Sequence, residues 1–231
     1  MRPYVVINGK ESDLIKGLMI QKLPPIIKPK IRTEIEEIDG RDGDIITPLG
    51  YSAYDKEIEI GLYGQYDVND VIDYFNASGR ITFSNEPDKY YKFAIYNSID
   101  LEKLIRYRTA VVTFHCQPFK YSAIEGVVET ASDSLQIRNR GNTVSKPRLT
   151  ISGSGIVKIY LNGTQVFQVD MTTSPVIIDS AEMNAYDTSG NFLNRKVVGN
   201  YDDFVLASGI NEITTTGTVT GLSIVNYSRW I

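Results

Sequence analysis

The residues Pro147–Val169 constrain this chain more than any others: Pro-Arg-Leu-Thr-Ile-Ser-Gly-Ser-Gly-Ile-Val-Lys-Ile-Tyr-Leu-Asn-Gly-Thr-Gln-Val-Phe-Gln-Val. Leu149 and Ile151, then Val157, Ile159 and Leu161, alternate with polar residues, the period of strands with one buried face. Gly153-Ser154-Gly155 and Asn162-Gly163 read as turns dividing three short strands, and Asn-Gly suits the positive φ angles of a tight hairpin. The segment predicts a β-sandwich and carries no reactive side chain. A structural or binding role therefore ranks ahead of catalysis.

Length and charge narrow the classes further. A chain of 231 residues suits one large domain or two small ones and can bury about 70% of its unfolded surface. The 24 basic side chains are scattered and the formal charge is −4, so the basic footprint of a nucleic-acid binder is missing. No apolar run reaches the roughly 18 residues of a membrane span, and Met1-Arg2-Pro3-Tyr4 does not open a signal peptide. Cys116 is the only cysteine, which excludes an intrachain disulfide and fits synthesis in a reducing cytosol.

In the first half, strands are expected at Tyr4–Asn8, Ile15–Leu23, Ile31–Ile38, Lys56–Leu62, Arg80–Phe83, Tyr90–Ile95 and Thr109–Gln117. Pro24, Pro25 and Pro29 interrupt any ladder between the second and third. Asp39–Gly50 reads as a long loop, and Pro118-Phe119 as the end of the last strand. One helix is expected. Asp67 can cap it, with Asp70 three residues on; Val68, Val71, Ile72 and Phe75 make one apolar stripe, and Gly79 is the expected terminator. A domain boundary is placed after residue 122, giving domains 1–122 and 123–231. Beyond it charge thins and Thr, Ser, Gly and Asn rise. Short strands are expected there at intervals of about eight to twelve residues, among them Tyr201–Leu206, Gly209–Thr215 and Gly217–Ser228, the pattern of a second sandwich.

Reactive constellations are weak. His115 is the sole histidine, and its neighbour Cys116 would point to the opposite face of a strand, so the pair reads as structural. One Cys and one His do not make a zinc site. Asp39-Gly40-Arg41-Asp42-Gly43-Asp44 offers alternating oxygens, yet residue 50, where a calcium loop needs Glu, is Gly. Asp170, Asp179, Glu182, Asp187, Asp202, Asp203 and Glu212 supply no pairing that would mark a glycosidase. No catalytic, cofactor-binding or metal-ligating residue is assigned, and no cofactor is expected.

Several segments nevertheless resemble one family. Ile38-Asp39-Gly40-Arg41-Asp42-Gly43, the run Glu86-Pro87-Asp88-Lys89-Tyr90-Tyr91-Lys92-Phe93-Ala94-Ile95, and Val112–Phe119 with its Pro118 and Phe119 are similar to the N-terminal domain of siphophage distal tail proteins. Asn139-Arg140-Gly141-Asn142, Lys146-Pro147, Ile178-Asp179-Ser180 and Gly209-Ile210-Asn211 resemble that family's C-terminal domain. The resemblance implies a mainly β protein: a tail-tube-like N-terminal β-sandwich with one short helix, then a galectin-like or carbohydrate-module-like sandwich. It implies a hexameric ring at the distal end of a phage tail that joins the tube to the tip or baseplate and leaves a channel for DNA. Expected partners are further copies of the chain, the tail tube or terminator-side proteins, a tail-associated hub or lysin protein, and receptor-binding or baseplate proteins. Sequence-specific nucleic-acid binding and membrane insertion are not expected. The protein would be made in the bacterial cytoplasm and reside in the virion.

A ring closes through heterologous contacts, and long segments without regular structure inside a compact half are often functional. Pro24, Pro25, Lys28, Pro29, Asp39, Arg41, Asp42 and Asp44 are therefore the candidate oligomer-interface residues. A carbohydrate-binding module for host wall polysaccharide is the alternative, and an all-β hydrolase ranks last.

Overall fold

The computed structural model describes residues 2–94 and 99–231. Ile95, which ends one expected strand and the longest family-like motif, lies outside the described residues. The chain divides into two compact units, one running through Ala123 and the other from Ile124 to Trp230.

The first unit holds β1 (Val5–Ile7), β2 (Lys10–Glu11), β3 (Leu18–Lys22), β4 (Ile31–Glu36), β5 (Ile45–Tyr51), β6 (Tyr54–Leu62), α1 (Val68–Phe75), β7 (Ser78–Phe83), β8 (Lys89–Ala94), α2 (Leu101–Tyr107) and β9 (Thr109–Ser122). A curled antiparallel sheet runs in the order β2-β1-β7-β8-β9-β6-β3. The alternation read from the sequence sets its inner face: Ile58 and Ile60 of β6 and Val112, Phe114 and Cys116 of β9 are buried with Val5, Ile20, Phe83 and Tyr91 in one cluster. Each such side chain stabilises by about 1.5–3 kcal/mol relative to exposure. Helix α1 closes that core with Val71, Tyr74 and Phe75. Asp67 accepts from Asn69 N at 2.8 Å, the expected cap.

Four expectations for this unit are corrected. The helix ends at Asn76, and Gly79 lies in β7 rather than terminating it. Residues 39–50 are not one loop, because Ile45–Tyr51 pairs with Ile31–Glu36; β-branched Ile45, Ile46 and Thr47 favour the strand, and a register shift at Arg32/Thr33 accommodates Pro48. Strand β9 continues past Pro118 to Ser122, the irregularity falling between the Tyr91–Lys120 and Phe93–Cys116 pairs. Helix α2, capped by Asp100 on Lys103 N, was not expected from the sequence.

The second unit contains β10 (Val127–Thr130), β11 (Ser134–Asn139), β12 (Arg148–Leu161), β13 (Thr164–Met171), β14 (Val176–Asp179), β15 (Asn184–Tyr186), β16 (Val197–Gly199) and β17 (Gly209–Val225). The ladder runs β10-β17-β12-β13-β16, with β11 on β17 and β14 bridging β12 to β15. Leu149, Ile151, Val157, Ile159, Phe167, Ile213 and Ile224 fill its core. Here the glycine signals misled. Gly153-Ser154-Gly155 does not separate two strands but bends one, β12, and the two strands expected around Gly217 are the single β17. Asn162-Gly163 does make the expected turn into β13. Tyr201–Leu206 is not a strand; Tyr201–Asp203 forms a 3-10 turn and Leu206 bridges to Ser145.

Candidate functional site

The most unusual feature of the first unit is the β4–β5 ribbon, whose sheet contains no other strand. Ile35 faces Ile46, Thr33 faces Pro48 and Ile31 faces Tyr51. Paired residues share a face, so Ile31, Thr33, Ile35, Ile46 and Pro48 form an apolar side, and Arg32, Glu34 and Glu36 point the other way. Ile35 is 58% and Ile46 61% exposed. A two-stranded hairpin is marginal by itself in water, and Ile35 and Ile46 leave its apolar face uncovered within this chain. The ribbon is an arm without a floor.

Its root is fixed at both ends. On the entering side Asn85 Nδ2 donates to Pro24 O and Lys56 Nζ to Pro25 O, each at 3.0 Å. On the returning side Ser52 N donates to Lys30 O at 2.8 Å, and Tyr51 meets Phe119 edge to face with centroids 5.7 Å apart. Beneath the root the Glu86 carboxylate accepts from Tyr91 Oη at 2.5 Å and from Lys120 Nζ at 2.7 Å. Lys56 Nζ lies 4.7 Å from the Tyr91 ring centroid. Burial drives the Lys56 ammonium below its ordinary value and raises the Tyr54 hydroxyl to about 12 and the Cys116 thiol to about 12. These groups hold a fold together; a thiol pushed upward is a poorer nucleophile at neutral pH.

Three of the family-like motif residues, Glu86, Tyr91 and Phe119, lie where the arm is rooted. Glu86 and Tyr91 form the buried network and Phe119 braces Tyr51. Tyr90 stacks on Tyr121 at 5.3 Å. Asp88 pairs with Lys89 at 2.7 Å, whose hydrogen bond holds its carboxyl below the usual range. Pro87 is exposed and Pro118 half-buried at the strand irregularity. Of the candidate interface residues, Pro25, Lys28, Asp39, Arg41, Asp42 and Asp44 are exposed, whereas Pro24 and Pro29 are buried within their own chain. Lys56, Asn85, Tyr51 and Lys120 were missed by the sequence reading. The signal for Lys56 was present, since it shares the alternating row of Ile58 and Ile60.

Elsewhere among the described residues the potentially reactive side chains stand apart. His115 is half-buried with Nδ1 2.6 Å from Asp55 Oδ1, while Cys116 is buried on the other face, as strand geometry requires. Among the described residues no three His, Cys, Asp or Glu side chains could hold a metal together. In the second unit Asp179 accepts from Ala181 N and Glu182 N, and Asp187 from Ser189 N and Asn191 N, so both organise turns. An open groove of about 430 Å³ there is lined by hydroxyl-bearing side chains including Thr150, Ser152, Thr220 and Ser223, with Glu129; none of its lining residues is aromatic.

The sequence matches no protein-family model and no curated protein. The fold does match solved structures. The SPP1 Dit protein, described as a paradigm of the hub adsorption apparatus in phages infecting Gram-positive bacteria, superposes with a TM-score of 0.72 at 16% identity, over 100% of both chains. A chain of the phage P2 baseplate, in an activated conformation with Ca, superposes with a TM-score of 0.53 at 8% identity, over 97% of this chain and 98% of that one. This chain is mainly β, divides into two units and has the fold of these phage proteins. The resemblance to distal tail proteins read in the sequence is thus borne out at the level of fold.

Proposed function

We propose that this chain is a structural distal tail protein of a phage or prophage. Copies close through their arms into a ring, six in number as the family resemblance implies, which joins tail tube to tip or baseplate and leaves a channel for DNA. In this reading residues 1–122 are the ring-forming domain and 123–231 an outward sandwich that carries adsorption components. The observation that carries it is the end-to-end likeness to SPP1 Dit, extending over both units at once. The anchored arm with an uncovered apolar face supports it, since a heterologous ring needs a projecting element on each copy. Six copies at −4 give −24, a charge that keeps passing DNA from adsorbing. The lining of the groove in the second unit does not favour the carbohydrate-module reading, because sugars stack on aromatic rings that it lacks.

Solution mass by light scattering, with negative-stain imaging, tests the proposal. The expected result is a closed ring that is lost when residues 40–48 are deleted. Assembly unchanged by that deletion would remove the arm from the interface. A glycan array with host wall polysaccharide separates the alternative; strong sugar binding by chains that never assemble would favour it.

A further inference from the structure

The arm needs a receiving surface, and the first unit carries one whose chemistry matches it. On α2 the side chains of Ile105 and Tyr107 are exposed, Tyr107 to 62%. Lys103, Arg106 and Arg108 are exposed beside them. The Arg106 guanidinium lies 5.5 Å from the Tyr107 ring centroid and that of Arg108 5.9 Å from Tyr66. A small hollow of about 200 Å³ is lined by Lys103, Arg106 and Tyr107 together with Asp100 and Glu102. The basic and aromatic surface extends to Arg2, 5.3 Å over exposed Tyr63. Lys103, Arg106 and Arg108 outnumber the two acids Asp100 and Glu102, of which Asp100 is occupied as the cap.

Arg108 stands at φ +55, a left-handed position that glycine or asparagine fills with less strain. A long cation is held there with its head outside. Strained backbone of this kind gathers at working surfaces.

The arm is the complement. Between residues 37 and 44 its tip carries Glu37, Asp39, Asp42 and Asp44 against Arg41 alone, beyond the bare Ile35–Ile46 pair. The two surfaces stand at opposite ends of the β6–β9 ladder. The root is held by Lys56, paired with Phe114, whereas Arg108 directly precedes the Gly61–Thr109 pair and its carbonyl accepts from Leu62 N. Six residues of strand put about 20 Å between them. An arm at one end and its complement at the other is the layout of a head-to-tail contact, and the exposure of every residue of β4 shows that the arm does not fold back onto its own chain.

We propose that the arm of one copy docks on the α2–Arg108 patch of a second copy. Ile35 and Ile46 cover Ile105 and Tyr107, and the acidic tip meets Lys103, Arg106 and Arg108. This rests on the ring reading and adds to it the receiving surface.

A charge swap tests it. One chain carries Lys103→Glu, Arg106→Glu and Arg108→Glu; another carries Glu37→Lys, Asp39→Lys, Asp42→Lys and Asp44→Lys; a third carries both sets. Association is followed by sedimentation up to the highest soluble concentration, with circular dichroism to check folding. Either set alone should weaken association on the order of a hundredfold, and the combination should restore it. Should the reversed patch unfold, Arg106→Ala with Tyr107→Ala replaces it and should weaken association in the same direction. A patch variant that assembles like the wild type, while deletion of 40–48 abolishes assembly, overturns the receiving patch and leaves the ring reading intact. A wild-type chain that stays monomeric at every concentration overturns both. Capture of a duplex oligonucleotide through the patch, with assembly unaffected by reversing it, assigns the patch to nucleic acid and overturns the docking.

Discussion

Lys56 donates from Nζ to the carbonyl oxygen of Pro25 at 3.0 Å, from a side chain only 2% exposed in the inward row of Ile58 and Ile60. A buried ammonium is costly unless it is bonded, and here its bond is to the segment that leads into the arm. The cation and the arm root stabilise each other.

Lys56→Met keeps the apolar stem and removes the donor. The core should tolerate this change, since a desolvated charge leaves with the bond. The arm should not. A hydrogen bond to a charged group contributes about 1.5–3 kcal/mol, so local opening rises about tenfold or more. Limited proteolysis should cut between residues 26 and 50 correspondingly faster while the circular dichroism spectrum holds. An unchanged cleavage rate would detach Lys56 from the arm.

The Glu86–Lys120 pair makes a second prediction. Both side chains are about 10% exposed and 2.7 Å apart. Removing one partner leaves a buried charge, so Lys120→Met and Glu86→Gln should each destabilise the first unit by about 3–5 kcal/mol. The double variant should recover much of that loss. Urea titrations of the three variants decide it, and additive losses would mean that the two groups act independently.

How much of this was legible beforehand depends on spacing. Helix α1 was readable because Asp67 and the Val71–Phe75 stripe lie within one short window. Strand β5 was not, because Pro48 and Gly50 break its alternation and Gly40 and Gly43 advertise a loop. Helix α2 is only two turns long and has too few apolar positions to show a period. The arm's position was seen, but not that it is a ribbon. Its root was invisible as a set: Lys56, Glu86 and Lys120 come from three separate strands or turns and meet only through sheet register. In the second unit glycines were read as turns where they serve as bends, since local sequence does not distinguish a chain that reverses from one that kinks and continues.

Alkaline pH should unfold the first unit through its buried acids. Burial raises the Cys116 thiol from 9.0 to about 12 and the Tyr54 hydroxyl from 10.0 to about 12, and raises Tyr74 and Tyr91 further. The folded chain keeps these protons while the unfolded chain releases them, so stability is whole below pH 9.0 and falls as pH climbs toward 12. Lys56 acts in the opposite sense, its penalty fading as the unfolded amine also loses its proton near 10.5. Cys116→Val isolates one group. Its stability relative to wild type should be constant below pH 9.0 and then rise by about 1.4 kcal/mol per pH unit. Parallel curves across that window would refute a retained thiol proton.

The bends of the second unit make the last prediction. The β12–β17 ladder shifts register on both sides of Gly153–Ser154. A Cβ on Gly153 would lie 2.2 Å from Thr218 O, and one on Gly217, at φ +109, 2.4 Å from Ile156 O. Both obstacles are backbone, so neither can swing aside, and the two strands must kink together to stay paired. Gly217→Ala should therefore cost at least about 2 kcal/mol. Gly126→Ala, where nothing lies within 4 Å of the added methyl, should cost under about 0.5 kcal/mol. Thermal denaturation of the two variants compares them directly. Equal losses would mean that these strands bend for reasons other than the close approach of their backbones, and that an ordinary residue could turn the same corner.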